Sequence, residues 1–205
     1  MTARTAVALA LCVAAAVSAG CASVMRVDSQ VKSYAQWAST ADPATTVSYR
    51  FERLPSQTQG PEATAHSALE GMVERALARS GWQTAGAGAP APWQVQITAR
   101  TDKLPRAPWE EPADGRWMRG GLWASNSGRV GFSGMWMIEI PYYQRSLSVV
   151  VLDTRSAQVV YESTAAHDGR WNDSPALWQA VVDAALNGFP HPPAAVRQVN
   201  IDIPR

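Results

Sequence analysis

Hydrophobic spacing changes period along this chain, and that change constrains the fold more than any other feature. "TVSYRFERL" (Thr46 to Leu54) alternates, with Val47, Tyr49 and Phe51 on one side and Ser48, Arg50 and Glu52 on the other, as a strand with one buried face does. The period then becomes helical. In "PEATAHSALEGMVERALARSGW" the apolar residues Ala65, Leu69, Met72, Val73, Ala76 and Leu77 form an i, i+3, i+4, i+7 stripe. Pro61 suits a first turn and Gly81 the left-handed position past the end. Gly71 inside the stripe either costs about 1 kcal/mol or permits close packing on a sheet.

Alternation returns in "WQVQITART", which points Trp93, Val95, Ile97 and Ala99 inward. Three strand-like runs follow: "MWMIEI" (Met135 to Ile140), "SLSVVVLD" (Ser146 to Asp153) and "AQVVYESTAAH" (Ala157 to His167). The short "TRSA" between the last two predicts an antiparallel hairpin. A second helix starts near "NDSP", with Asp173 or Ser174 as cap and Pro175 in the first turn. Its inner stripe is Leu177, Trp178, Val181, Val182 and Ala185, and Gly188 and Pro190 stop it. "VKSYAQW" (Val31 to Trp37) reads as a first strand or its approach and "VNIDIP" as a short last one. Two helices cannot cover both faces of such a sheet. The expected fold is a two-layer α+β domain, a mostly antiparallel sheet with both helices packed on one face.

The first 20 residues are not fold material. One basic residue, Arg4, precedes an unbroken small and apolar run from Ala6 to Val17 and then a cluster of small residues, the layout of a secretory signal peptide. The run is well short of the roughly 20 residues a permanent membrane span needs. "VSAGC" (Val17 to Cys21) resembles the lipobox of bacterial lipoproteins, in which the cysteine thiol receives a diacylglycerol and the chain is cut just before it. Ser18 stands where leucine is commonest, so ordinary cleavage after "VSA" is the alternative. The only other cysteine, Cys12, lies inside the discarded peptide, which would leave Cys21 an exported thiol without a partner. The expected organisation is a signal peptide at 1–20, a tether at 21–27 and a single domain at 28–205, with a Gly/Trp-rich loop at about 105–134.

Arg4 is one of 18 Lys and Arg residues, and none of the 17 Asp and Glu residues lies in 1–20, so the remainder carries no formal net charge. That balance gives no support to nucleic-acid binding or to a polybasic membrane patch. Attachment to a membrane would come from the lipid on Cys21, firm only with two or more acyl chains.

These features in this order resemble the DUF4136 family of bacterial lipoproteins: the signal with its cysteine, "YAQW", "LEGMVERALARSGWQ" before an alternating strand, and "SLSVVVLDTRSAQVVYES" followed by a helix ending in "GFP". The chain departs from the family in having Tyr161 where a tryptophan is usual after the hairpin turn, and a longer, Trp-richer middle. The resemblance implies an exported, lipid-anchored α+β domain with no assigned activity, so no site residue transfers from it. Ala22 after the cysteine resembles the signal for onward transport to the outer membrane.

Chemistry-bearing patterns are sparse. His66, His167 and His191 show no metal-ligand spacing, and His66 and His191, beside helix ends, read as surface residues. No metal or cofactor is expected. "HDGRWND" gathers His167, Asp168, Arg170 and Asp173, a hydrolase-like patch, but Asp168 and Gly169 read as turn residues and Asp173 as a cap. "GFSGM" lacks the last glycine of a nucleophile elbow, and Glu110 and Glu111 of "WEEP" point apart on an extended loop.

The Gly/Trp-rich loop is the best site candidate, through Trp109, Trp117, Trp123, Arg119 and Arg129. Its amphipathic rings suit a protein partner, a sugar face or lipid headgroups, or else they fold back onto the sheet. The functional expectation is a lipid-anchored envelope protein facing the periplasm, a structural or accessory module that binds an envelope protein or cell-wall glycan. The alternative is a hydrolase-like enzyme using His167, Asp168 and Asp173.

Overall fold

The computed structural model describes residues 24–37, 47–86, 88–110, 121–124, 130–133, 141–171 and 173–204, with only the backbone described for 121–124 and 130–133. The strands are β1 (Val24–Ala35), β2 (Val47–Phe51), β3 (Trp82–Thr84), β4 (Trp93–Leu104), β5 (Gly121–Ala124), β6 (Val130–Ser133), β7 (Tyr142–Asp153), β8 (Val159–Gly169) and β9 (Arg197–Pro204). The helices are α1 (Gly60–Ala78) and α2 (Pro175–Ala185), with a short 3-10 turn at Pro55–Gln57. Seven strands form one sheet in the order β3-β2-β4-β7-β8-β1-β9, and β5 and β6 pair separately as an antiparallel hairpin. The sheet is antiparallel from β4 to β9, while β2 runs parallel to both β3 and β4. The chain is thus the α+β fold expected, a mostly antiparallel sheet with two helices.

Strand alternation builds the core. Val27 and Val31 of β1, Val95 and Ile97 of β4, Leu147, Val149 and Val151 of β7, and Tyr161 and Ala165 of β8 are all buried on one face. Leu69, Val73, Ala76 and Leu77 of α1 and Leu177, Val181, Val182 and Ala185 of α2 belong to the same core. The opposite face carries Gln94, Gln96, Thr98, Ser146, Ser148, Glu162 and Thr164, a polar surface of the kind antiparallel sheets tolerate.

The helices run side by side in the same direction. Gln179 donates to the Met72 carbonyl at 3.4 Å, Arg75 donates to Gln179 Oε1 at 2.7 Å, and Arg79 pairs with Asp183 at 2.5 Å. Their C-terminal ends meet an aromatic cluster. The Trp37 ring lies 5.8 Å from Trp82, 5.4 Å from Trp93 and 6.2 Å from Phe189, and Phe189 sits 4.9 Å from Tyr161. The Ala185 carbonyl, an orphan acceptor of the last helical turn, takes hydrogen bonds from Ser163 at 2.6 Å and Tyr161 at 3.3 Å.

The local signals hold at the helix ends. Ser174 accepts from the Leu177 N–H with Pro175 at the first position, so Ser174 and not Asp173 is the cap. Gly81 and Gly188 take φ of +80° and +82°. Other expectations change. Residues 24–27, assigned to the tether, are the first residues of β1. Trp82–Thr84 is a strand, where only the end of a helix pattern was visible. Asp168 and Gly169 continue β8 and form no turn. Ala65 and Ala99, expected inward, are exposed. "MWMIEI" lies outside the described residues.

Gly71 makes no close approach to the sheet: a methyl there would meet only the Arg75 side chain at 3.7 Å. Gly71→Ala should therefore stabilise the fold by about 0.5–1 kcal/mol through helix propensity. Gly188→Ala forces a side chain into left-handed backbone, with Cβ 3.3 Å from Pro192 and Pro193, and should cost at least about 1–2 kcal/mol. Urea denaturation midpoints for the two variants should move in opposite directions.

Candidate functional site

At the end of the sheet away from the aromatic cluster, a polar row crosses its inner face. The register aligns Thr101 of β4 with Arg145 of β7, and Arg145 with His167 of β8. Ser29, buried on the same face of β1, extends it. Arg145 is wholly buried, and its guanidinium lies 5.2 Å from the centre of the Tyr143 ring. Its Nε donates to Asp173 Oδ1 at 2.5 Å and its Nη2 to the Trp171 carbonyl. The other oxygen of Asp173 accepts from Thr101 Oγ1 at 2.9 Å. Asp173 thus ties the β8–α2 connection down onto β4 and β7 and sets where α2 begins.

His167 is buried within β8. Its Nδ1 donates at 2.7 Å to the backbone carbonyl of Asp28, which can only accept. Nε2, Arg145 Nη1 and Ser29 Oγ are buried with no partner among the described residues. Strand alternation sends His167 inward and Asp168 outward, and Asp173 is committed to Arg145 and Thr101. The three residues of the hydrolase-like patch therefore do not converge.

Next to this row a cleft of about 590 Å³ opens between the N-terminal halves of the helices. Ala65, Ala68, Leu69 and Met72 of α1 form one wall, Pro175 and Trp178 of α2 the other, and Ala99 and Thr101 lie at its floor. The cleft explains why Ala65 and Ala99 are exposed despite lying on the inward stripes. His66 lines it as well and is buried, contrary to the surface position expected. Its Nε2 donates to the Ile97 carbonyl at 3.3 Å and its Nδ1 lies 3.4 Å from Glu70. Glu70 in turn holds Arg53 through two bonds of 2.7 and 2.5 Å. His191 is exposed.

Of the partner-binding candidates, Trp109 is 70 % exposed, its ring edge-on to Tyr142 at 5.1 Å. Trp117, Arg119 and Arg129 lie outside the described residues, and Trp123 is described only as backbone of β5. Cys21 also lies outside them. Among the described residues, no group of three or more His, Cys, Asp or Glu is placed to hold a metal, and no helix is long and apolar enough to cross a membrane. Sequence reading missed Arg145, the cleft and Trp171. Arg145 carried a signal: it continues the inward alternation of Leu147, Val149 and Val151.

A mostly antiparallel sheet with two parallel helices on one face, open at one end, defines the class of domain. The chain belongs to the family described as Domain of unknown function (DUF4136), which matches residues 30–191. Among solved structures it is similar to a PDZ domain protein from Parabacteroides distasonis, at 12 % identity and a TM-score of 0.53. That match covers 92 % of this chain and 41 % of the other, so the chain spans about two fifths of that protein's length, and the likeness is one of fold. A PelC dodecamer carrying a Leu-to-Met substitution and a PelC dodecamer, both from Paraburkholderia phytofirmans, match with TM-scores of 0.42 and 0.41, at 12 % and 10 % identity, covering 80 % of this chain and 98 % and 99 % of theirs. No curated protein matches the chain.

Removing the carboxylate of Asp173 should leave a buried guanidinium undercompensated. Asp173→Asn should cost about 2–4 kcal/mol, less than a wholly buried pair because Asp173 is 40 % exposed. The double change Arg145→Met/Asp173→Ser should recover much of that loss in chemical denaturation.

Three tyrosines give an alkaline limit. Burial, aided by Glu74 and Glu70, raises the pKa of Tyr49. Burial and a hydrogen bond to Asp168 push Tyr142 up to about 12. Burial also raises Tyr161, against opposing bonds from Ser163 and Ser33. The unfolded chain gives up these protons near the ordinary value of about 10, while the folded chain retains them. Stability should be full below about pH 10 and fall as pH rises through the folded values, as denaturation midpoints measured on either side will register.

Proposed function

We propose that this chain is a lipid-anchored accessory protein of the bacterial envelope, attached to the outer membrane through Cys21 with its domain in the periplasm. It acts by binding an envelope protein or a cell-wall glycan, and not by catalysis. The localisation is supported by the signal-like first 20 residues, the "VSAGC" motif and Ala22. One contrast carries the binding reading. The polar groups of the HDGRWND segment are spent on structure, His167 on Asp28 and Asp173 on Arg145, while the cleft between α1 and α2 stays open and largely apolar in its walls. A concave site with mostly apolar walls, whose His66 is bonded to the Ile97 carbonyl and set against Glu70 and whose Asp173 is committed to Arg145 and Thr101, suits recognition.

Ala65 and Ala68 are exposed on α1, so lysines there charge the cleft at little cost to the helix. From detergent-solubilised envelope, the intact protein should bring down a partner that the Ala65→Lys/Ala68→Lys variant brings down at least tenfold less. Equal recovery by both would remove the cleft from the reading. Mass spectrometry of the same material should show a diacylglyceryl group on Cys21, and a free thiol there would end the anchoring.

A further inference from the structure

The strand ends place Val24, the first described residue, at the same end of the sheet as two exposed tryptophans. β1 begins at Val24 beside the end of β9, and β8 is antiparallel to β1 and so finishes, at Gly169, toward the same end of the sheet. Tyr143 of β7 pairs with Gly169, and Leu104, the last residue of β4, pairs with Tyr142. The 105–110 loop and the β8–α2 connection therefore both emerge at the end where β1 begins. A salt bridge between Arg170 and Glu110 joins them. The residues next to that pair are Trp109, 70 % exposed, and Trp171, 47 % exposed. Val24 itself is 56 % exposed.

Cys21 lies three residues before Val24, a span of at most about 11 Å when fully extended. A lipid on Cys21 would hold this end of the domain at headgroup depth. Indole rings, apolar in body with one N–H, are the side chains that settle there. The formal charges here include the pairs Arg26–Asp202 and Arg170–Glu110, which offset each other, so the aromatic rings supply the main contact.

We infer that the end of the domain bearing Trp109, Trp171 and Val24 is a membrane-contact surface that lies on the leaflet holding the anchor. This rests on the anchoring proposed above and adds an orientation to it. The sheet stands with the Val24 end down, the cleft between the helix N-termini opens close to the lipid, and the β7–β8 turn points away.

The test uses the full lipidated chain in phosphatidylethanolamine/phosphatidylglycerol vesicles containing lipids brominated along the acyl chain. Cys21 would be blocked by its lipid, so a cysteine introduced by Trp109→Cys, Trp171→Cys or, in the distal turn, Ser156→Cys can carry a single fluorophore. The label at 109 and at 171 should be quenched at least threefold more than the label at 156. Equal quenching at all three sites on vesicle-bound protein would overturn the inference while leaving the anchor intact. Protein that fails to float with the vesicles would overturn the anchor and the inference together. In a variant with a flexible Gly/Ser spacer between Ala22 and Val24, preferential quenching should persist. Its collapse to the level at 156 would show that the short tether alone, and no surface property, brings the rings to the lipid.

Discussion

The packing of Trp37, Trp82, Trp93, Tyr161 and Phe189 at one end of the inner sheet face decides the shape of everything else. These rings come from the exit of β1, the start of β3, the start of β4, the first residues of β8 and the segment after α2, so one cluster gathers five separate parts of the chain. Trp37 also donates its indole N–H to the Pro190 carbonyl at 2.9 Å, which anchors the chain past α2. The helices are held together toward that end by the Arg79–Asp183 pair and by the bonds of Gln179 to Met72 and Arg75, and the cleft lies on the N-terminal side of these contacts. The cleft is the consequence of closing the two layers at one end only.

At the open end the layers are joined by polar groups. Arg145 reaches up from the sheet to Asp173 and the Trp171 carbonyl, and so holds the entry to α2 without filling the space beside it. A buried guanidinium is a costly way to join two layers, and apolar packing often does as well. Its position at the edge of the cleft, in a row with His167 and Ser29, gives this end a chemical character the aromatic end lacks.

Local features were legible because their causes are local. Pro61, Gly81, Pro175 and Gly188 mark helix ends through backbone constraints that act within a few residues, and the period-2 runs of β4, β7 and β8 show which face is buried. Trp82–Thr84 escaped notice because three residues are too few to show alternation, and its parallel pairing with β2 depends on where α1 returns the chain. His66 illustrates a different failure. It sits three residues before Leu69 and seven before Val73, on the stripe itself, and its polarity argued against the position its spacing indicated. His167 likewise continues the inward register of Tyr161, Ser163 and Ala165. The cleft left no trace in the sequence, since its walls come from two helices more than 90 residues apart in the chain.

The shared direction of α1 and α2 has an electrical consequence. Antiparallel neighbours cancel their peptide dipoles, whereas these two add, each placing roughly half a positive elementary charge at its N-terminal turn. Formal charge counts zero beyond residue 20, yet the helix pair gives the domain an intrinsic polarity along the strand axis, positive toward Val24 and negative toward the aromatic cluster.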